Sequence, residues 1–172
     1  MRFGDFLKAT VLLSAASATL LAALTVIGLS QESNPTATYV CFGWWALATA
    51  IGTTLGSRNE ATHAIANLLA GAKTQQSLPD ISPARTIFNR LWPLLVVTVG
   101  ASVLSVFAPQ IGGIAAGFAI IWALAWRRQE AAVAAIEERD GARFYVDKTS
   151  PLKAISLIRT PGFGGDYLRP AA

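Results

Sequence analysis

Long uncharged apolar runs alternate along this chain with short charged stretches. Four runs contain no Asp, Glu, Lys, Arg or His: residues 9–30, 38–56, 91–108 and 111–126. A helix needs about 20 residues to cross a hydrocarbon core of about 30 Å, so the first two runs fit and the last two are slightly short. The pattern predicts an all-α integral membrane protein. Four transmembrane helices fall within residues 1–139, with a loop at 57–90 between the second and third and a separate tail at 140–172. Between the third and fourth runs, "APQIGG" (108–113) predicts a tight turn, with Pro109 and two glycines reversing the chain.

The charged stretches carry weaker periodic signals. Ala61, Ala64, Ile65, Leu68 and Leu69 recur at helical spacing, which predicts an interfacial helix or a continuation of the second span. Ser57 and Glu60 have capping-box spacing, and Gly71 is a plausible stop. "KTQQSLPDISP" reads as an extended linker, after which Ser82 and Pro83 suit the Ncap and N1 positions of a helix that reaches Trp92. Pro93 is tolerable in its first turns or at a kink. Beyond the fourth run, "QEAAVAAIEER" should carry the helix on to Arg139, about 18 Å past Arg127 and Arg128. Its stripe of Ala132, Val133 and Ile136 is suited to docking on Ile65 and Leu68. Asp140-Gly141 is a turn signal, and Phe144 and Val146 then alternate with Arg143, Tyr145 and Asp147 as a strand does. With the later run "KAISLIRT", this predicts a hairpin across 143–159, too small to stand alone in water. Residues 160–172 read as a flexible end.

Composition strengthens the membrane reading. Of 172 residues, 53% are hydrophobic and 14% charged, where soluble domains run near a quarter charged. The net charge of +4 does not point to nucleic acid, because the cations flank apolar runs and are not interleaved with stacking aromatics. Their placement is informative. Arg2 and Lys8 precede the first run, four cations lie in 57–90, and eight follow Trp126, which accounts for all 14 Lys and Arg. The connections at 31–37 and 109–110 have none. Cationic side chains resist translocation, so both termini and the 57–90 loop are expected in the cytoplasm, the membrane being a bacterial plasma (inner) membrane. The first run exceeds the 7 to 15 apolar residues of a signal peptide and no A-x-A site follows, so it is expected to be a helix of the protein and not a cleaved signal.

Tryptophans mark expected interfaces: Trp44 and Trp45 at the outer, Trp92, Trp122 and Trp126 at the inner. Small residues recur every four positions at Ser14, Ala18 and Ala22, at Ala48, Gly52 and Gly56, and at Gly113 and Gly117. Such stripes let helices approach closely, whether within one chain or in a homo-oligomer.

Candidate chemistry is sparse. His63 is the single histidine and Cys41 the single cysteine, which excludes an internal disulfide. Gly162-Phe163-Gly164-Gly165 lacks the Lys-Ser/Thr of a phosphate loop. Glu137, Glu138 and Asp140 read as a solvated helix end. No charge falls inside any run, although intramembrane charges usually mark ion routes and proton relays. No catalytic, cofactor-binding or metal residue is expected. The function expected is a non-enzymatic scaffold or subunit whose helix extension and tail dock a partner or second copy. A small channel or carrier for an uncharged or weakly polar solute is the alternative.

Overall fold

The computed structural model describes residues 1–31, 35–57, 61–74, 83–147 and 155–161. Six helices occur among them: α1 (Phe3–Leu29), α2 (Pro35–Leu55), α3 (His63–Ala70), α4 (Pro83–Ser105), α5 (Pro109–Trp126) and α6 (Gln129–Asp140). Three short strands join them: β1 (Lys73–Thr74), β2 (Ala142–Val146) and β3 (Leu157–Pro161). Proline is the first residue of α2, α4 and α5, where its missing N–H lacks an intrahelical partner in any case and its fixed φ suits the helix. Pro93 lies inside α4 at an exposed position.

Three helical stretches are long and apolar enough to cross a membrane: α1, α4 and the one that begins at Pro109. The expected count was four. α2 has 21 residues and no charge, but its threonines, glycines and paired tryptophans dilute its hydropathy. Large apolar side chains are exposed along these helices, among them Leu12, Ile27, Val97, Val103 and Phe118. In water an apolar surface of that extent is a liability, whereas in lipid it is solvated.

Several boundaries differ from the sequence pattern. α1 starts at Phe3, so Asp5 and Lys8 lie on the helix ahead of the uncharged run. α4 stops at Ser105, not at Ala108. The chain reverses at Val106 and Phe107, with Ala108 extended as the N-cap of α5. Pro109 therefore opens a helix and makes no turn, while Gly112 and Gly113 are buried within that helix. α5 and α6 are not one unbroken helix. The hydrogen-bond ladder is interrupted at Arg127 and Arg128, although Arg127 keeps right-handed helical dihedrals. α3 is separate from α2 and does not continue it.

The chain divides into two compact units. The first, apolar unit comprises Lys8–Arg58 and Leu91–Arg128. Its most extensive helix pair is α2 with α5. Leu21 of α1, Ala101 of α4 and Ala116 of α5 form a buried cluster, against which Trp45 of α2 packs. Glycine makes the α2–α5 approach possible. A Cβ on Gly113 would lie 2.7 Å from Cys41 Sγ, and one on Gly52 would lie 2.8 Å from Leu124 Cβ. A Cβ on Gly117 would collide with the Trp44 indole, and one on Gly56 with the Leu124 carbonyl. Trp45 Nε1 donates to the Gly113 carbonyl at 2.8 Å, and Trp44 Nε1 to the Ile114 carbonyl at 3.2 Å. Each helical carbonyl keeps a second lone pair for such a bond. Gly113 and Gly117, expected to pack on a helix of the same chain or of a second copy, meet Cys41 and Trp44 of α2 of the same chain.

The second, mixed unit comprises Met1–Leu7, Asn59–Arg90 and Gln129–Ala172. In it the tail strands pack with segments from the N-terminus and the loop. The strand order is β1-β3-β2, with β3 parallel to β1 and antiparallel to β2. As the central strand, β3 buries consecutive residues, Leu157 and Ile158, on opposite faces. α6 packs on β2 and α3 on β3. Phe3, Leu7, Ile65, Val133, Val146 and Leu157 are each at most 2% exposed, so every segment of the unit contributes buried apolar surface. The Asp140-Gly141 turn forms as the sequence predicts. Gly141 has φ +58°, a left-handed conformation that glycine adopts without a Cβ penalty.

Candidate functional site

The hairpin expected across 143–159 is present, but extended by two partners with no strand signal of their own. Lys73 and Thr74 of the presumed linker pair with Ile158 and Arg159. On the other side, Arg2 bridges to Tyr145, and the Val146 N–H donates to the Met1 carbonyl at 3.1 Å. Two residues further back on the same edge, the Phe144 N–H donates to Glu137 Oε1 at 2.9 Å. The outer edge of β2 is therefore occupied, which removes a template for unwanted strand pairing. Glu137 is half-buried and holds the strand; it is not part of a solvated end. Asp140 remains at the surface with Arg139 at 2.8 Å, a pair whose hydrogen bond holds the Asp140 carboxyl below its ordinary value.

Register then decides which side chains share a face. Residues directly opposite in a sheet point the same way. Arg143 faces Thr160, Tyr145 faces both Ile158 and Arg2, and Ile158 faces Lys73. One face thus gathers the exposed Arg2, Lys73 and Arg143 and the half-buried Tyr145 around the buried Ile158 and Thr160. Asp147 continues this face. It accepts a hydrogen bond from Ser156 Oγ at 3.1 Å and lies within electrostatic reach of Arg90. The cations come from three separated stretches of sequence, and no local motif announces them. The other face carries Phe144, Val146 and Leu157, all buried.

The residues singled out from sequence lie apart from this face. His63 is the exposed first residue of α3, with Asn67 exposed one turn later. Thr62 precedes it as N-cap, and its backbone N–H donates to Oε1 of the buried Gln129 at 3.0 Å, so a side chain from the start of α6 serves the start of α3. Ser57 instead donates to the Thr54 carbonyl at the end of α2. Gly71 ends α3 as expected, its N–H returning to the Asn67 carbonyl. Cys41 is buried in the α2–α5 seam. Arg128 donates to the Ser57 carbonyl at 2.8 Å. Gly162 to Gly165, the capping partner Glu60 and most of the 160–172 end lie outside the described residues.

In the apolar unit most of the described Ser and Thr hydroxyls are hydrogen-bonded within the protein. Ser14 donates to the Thr10 carbonyl, Thr25 to that of Leu21 and Ser102 to that of Thr98. Thr98 and Ser17 are hydrogen-bonded across helices at 3.0 Å. An open groove of about 620 Å³ runs beside α4 and α5, lined by Leu94, Val97, Leu104, Ile114, Phe118 and Trp122 among others. Its lining is apolar apart from Thr98 and offers no acid, base or nucleophile. Among the described residues no three of His, Cys, Asp and Glu lie close enough to hold a metal ion. No protein-family model, no curated protein and no solved structure matches this chain.

Proposed function

We propose that this is a multi-pass membrane protein of a bacterial plasma (inner) membrane, with both termini and the 57–90 loop in the cytoplasm. One observation carries the topology: three cation-bearing segments, from the N-terminus, the loop and the tail, co-fold into a single unit. A folded unit cannot be divided by a bilayer. If α1 crosses, α2 must return, and α4 and α5 must likewise cross as a pair. α2 is then the fourth span, despite its threonines.

The function best supported is that of a non-enzymatic scaffold or subunit, whose cytoplasmic unit docks a protein partner, a second copy included. Topology alone calls only for short loops. A unit with its own buried residues and an occupied strand edge is more than that. The channel or carrier alternative draws less support, because the hydroxyls that could line a path are bonded to helical carbonyls and to one another. The test is purification of the full chain in mild detergent beside Val133→Asp, which puts a carboxylate into the buried part of the mixed unit. A partner retained by the native chain and lost from the variant is the expected outcome. The native chain purifying alone and as a monomer, while conducting solute in liposomes, would favour the alternative.

A further inference from the structure

We infer that the sheet face bearing Arg2, Lys73 and Arg143 binds the headgroups of anionic phospholipids. The inference goes beyond the docking reading, which concerns a protein.

Register brings these three exposed cations onto one side of the sheet from the N-terminus, the loop and β2. They are spread over three strand spacings, about 14 Å. On the described part of this face Asp147 is the single carboxylate, hydrogen-bonded by Ser156 and near Arg90, so the three exposed cations outnumber it. Two of the three cations are arginines, whose planar guanidinium matches phosphate oxygens two at a time. Tyr145 stands among them, a side chain whose amphipathic ring suits the headgroup layer.

Lipid is favoured over an acidic protein by where these residues sit in the chain. Arg2 lies seven residues ahead of Ala9, about 10 Å of helix rise from the start of an uncharged run. Arg90, beside Asp147, directly precedes Leu91 and a second such run. Arg2 and Arg90 thus each lie within a few residues of an uncharged run read as a membrane span. Juxtamembrane cations of this kind are attracted to anionic headgroups.

The test uses the full chain in mild neutral detergent, with soluble short-chain phosphatidylglycerol and phosphatidylcholine as probes and native mass spectrometry as readout. Phosphatidylglycerol should bind in preference to phosphatidylcholine, more weakly as salt rises. Each neutralised cation should weaken it about fivefold, so R2Q/K73Q/R143Q should lose roughly a hundredfold. R139Q/R159Q removes two exposed cations, Arg159 lying on the opposite sheet face, and should bind as the native chain does. Equal binding of both lipids, or equal loss in R139Q/R159Q, would overturn the inference. So would a soluble acidic peptide that binds the same face more tightly than phosphatidylglycerol does. Should the triple variant fail to fold, the salt titration of the native chain decides: phosphatidylglycerol binding that ignores salt overturns the inference. Failure here leaves partner co-purification intact, so the two readings separate.

Discussion

The carbonyl oxygen of Met1 accepts a hydrogen bond from the amide of Val146 at 3.1 Å, which places the N-terminal segment against a strand of the tail. Four long helices lie between these residues in sequence, yet their backbones pair. The bond is one of several that join the N-terminus, the 57–90 loop and the tail within the mixed unit.

Integrity of the mixed unit should depend on Val133, which is 0% exposed on α6. Val133→Asp buries an unpaired carboxylate, a change that costs several kcal/mol or unfolds the unit. The expected outcome is loss of amide-exchange protection at Phe144 and Val146, with protection in α2 and α5 unchanged.

Glu137 should matter through one bond. Glu137→Ala leaves the Phe144 N–H without its acceptor, at a cost of about 1–3 kcal/mol. Glu137→Gln keeps an acceptor oxygen and should lose less. Exchange at Phe144, compared across the two variants, measures the difference.

The α2–α5 seam should resist any added atom. Gly113→Ala forces a methyl against Cys41 Sγ, and overpacking of this kind costs about 1–3 kcal/mol. Because the clash is with one neighbour above all, the cost should shrink in a Cys41→Ala background, a coupling that a double-mutant cycle of thermal midpoints detects. Trp45→Phe removes the 2.8 Å bond to the Gly113 carbonyl and should cost about 0.6 to 1.7 kcal/mol, the scale of hydrogen bonds between membrane helices.

The Arg139–Asp140 pair should contribute nothing measurable to stability. Asp140 titrates below its ordinary value of 3.8 because of the Arg139 hydrogen bond. A carboxyl depressed in the folded state adds stability above its unfolded value, and that stability is lost as pH falls through the folded one. Both groups are solvated, so solvent screens the pair. Asp140→Asn should leave the thermal midpoint unchanged both at pH 7 and below pH 4.

Local pattern carries much of this architecture. The uncharged runs, Pro83 as a helix starter, Gly71 as a stop, the Asp140-Gly141 turn and the alternation of Phe144 with Val146 are all visible in a few neighbouring residues. The candidate face is not. Arg2, Lys73 and Arg143 become neighbours only through pairings between distant segments, and β1 is two residues long, too short to show any period. The same is true of Trp44 and Trp45, whose composition suggests an interface but whose N–H groups go to carbonyls of α5. Pro109 misled for a physical reason: a proline beside glycines suits both a turn and the first residue of a closely packed helix, and only the packing partner distinguishes them.

Sidedness is the claim on which the rest depends, and cysteine labelling tests it directly. In a Cys41→Ala background, Gln31→Cys and Asn67→Cys each place one exposed thiol, the first between α1 and α2, the second on α3 of the mixed unit. A membrane-impermeant maleimide should label Gln31→Cys in intact cells and Asn67→Cys only after the membrane is permeabilised. Labelling of Asn67→Cys in intact cells, or protection of both sites until permeabilisation, would contradict a return crossing by α2.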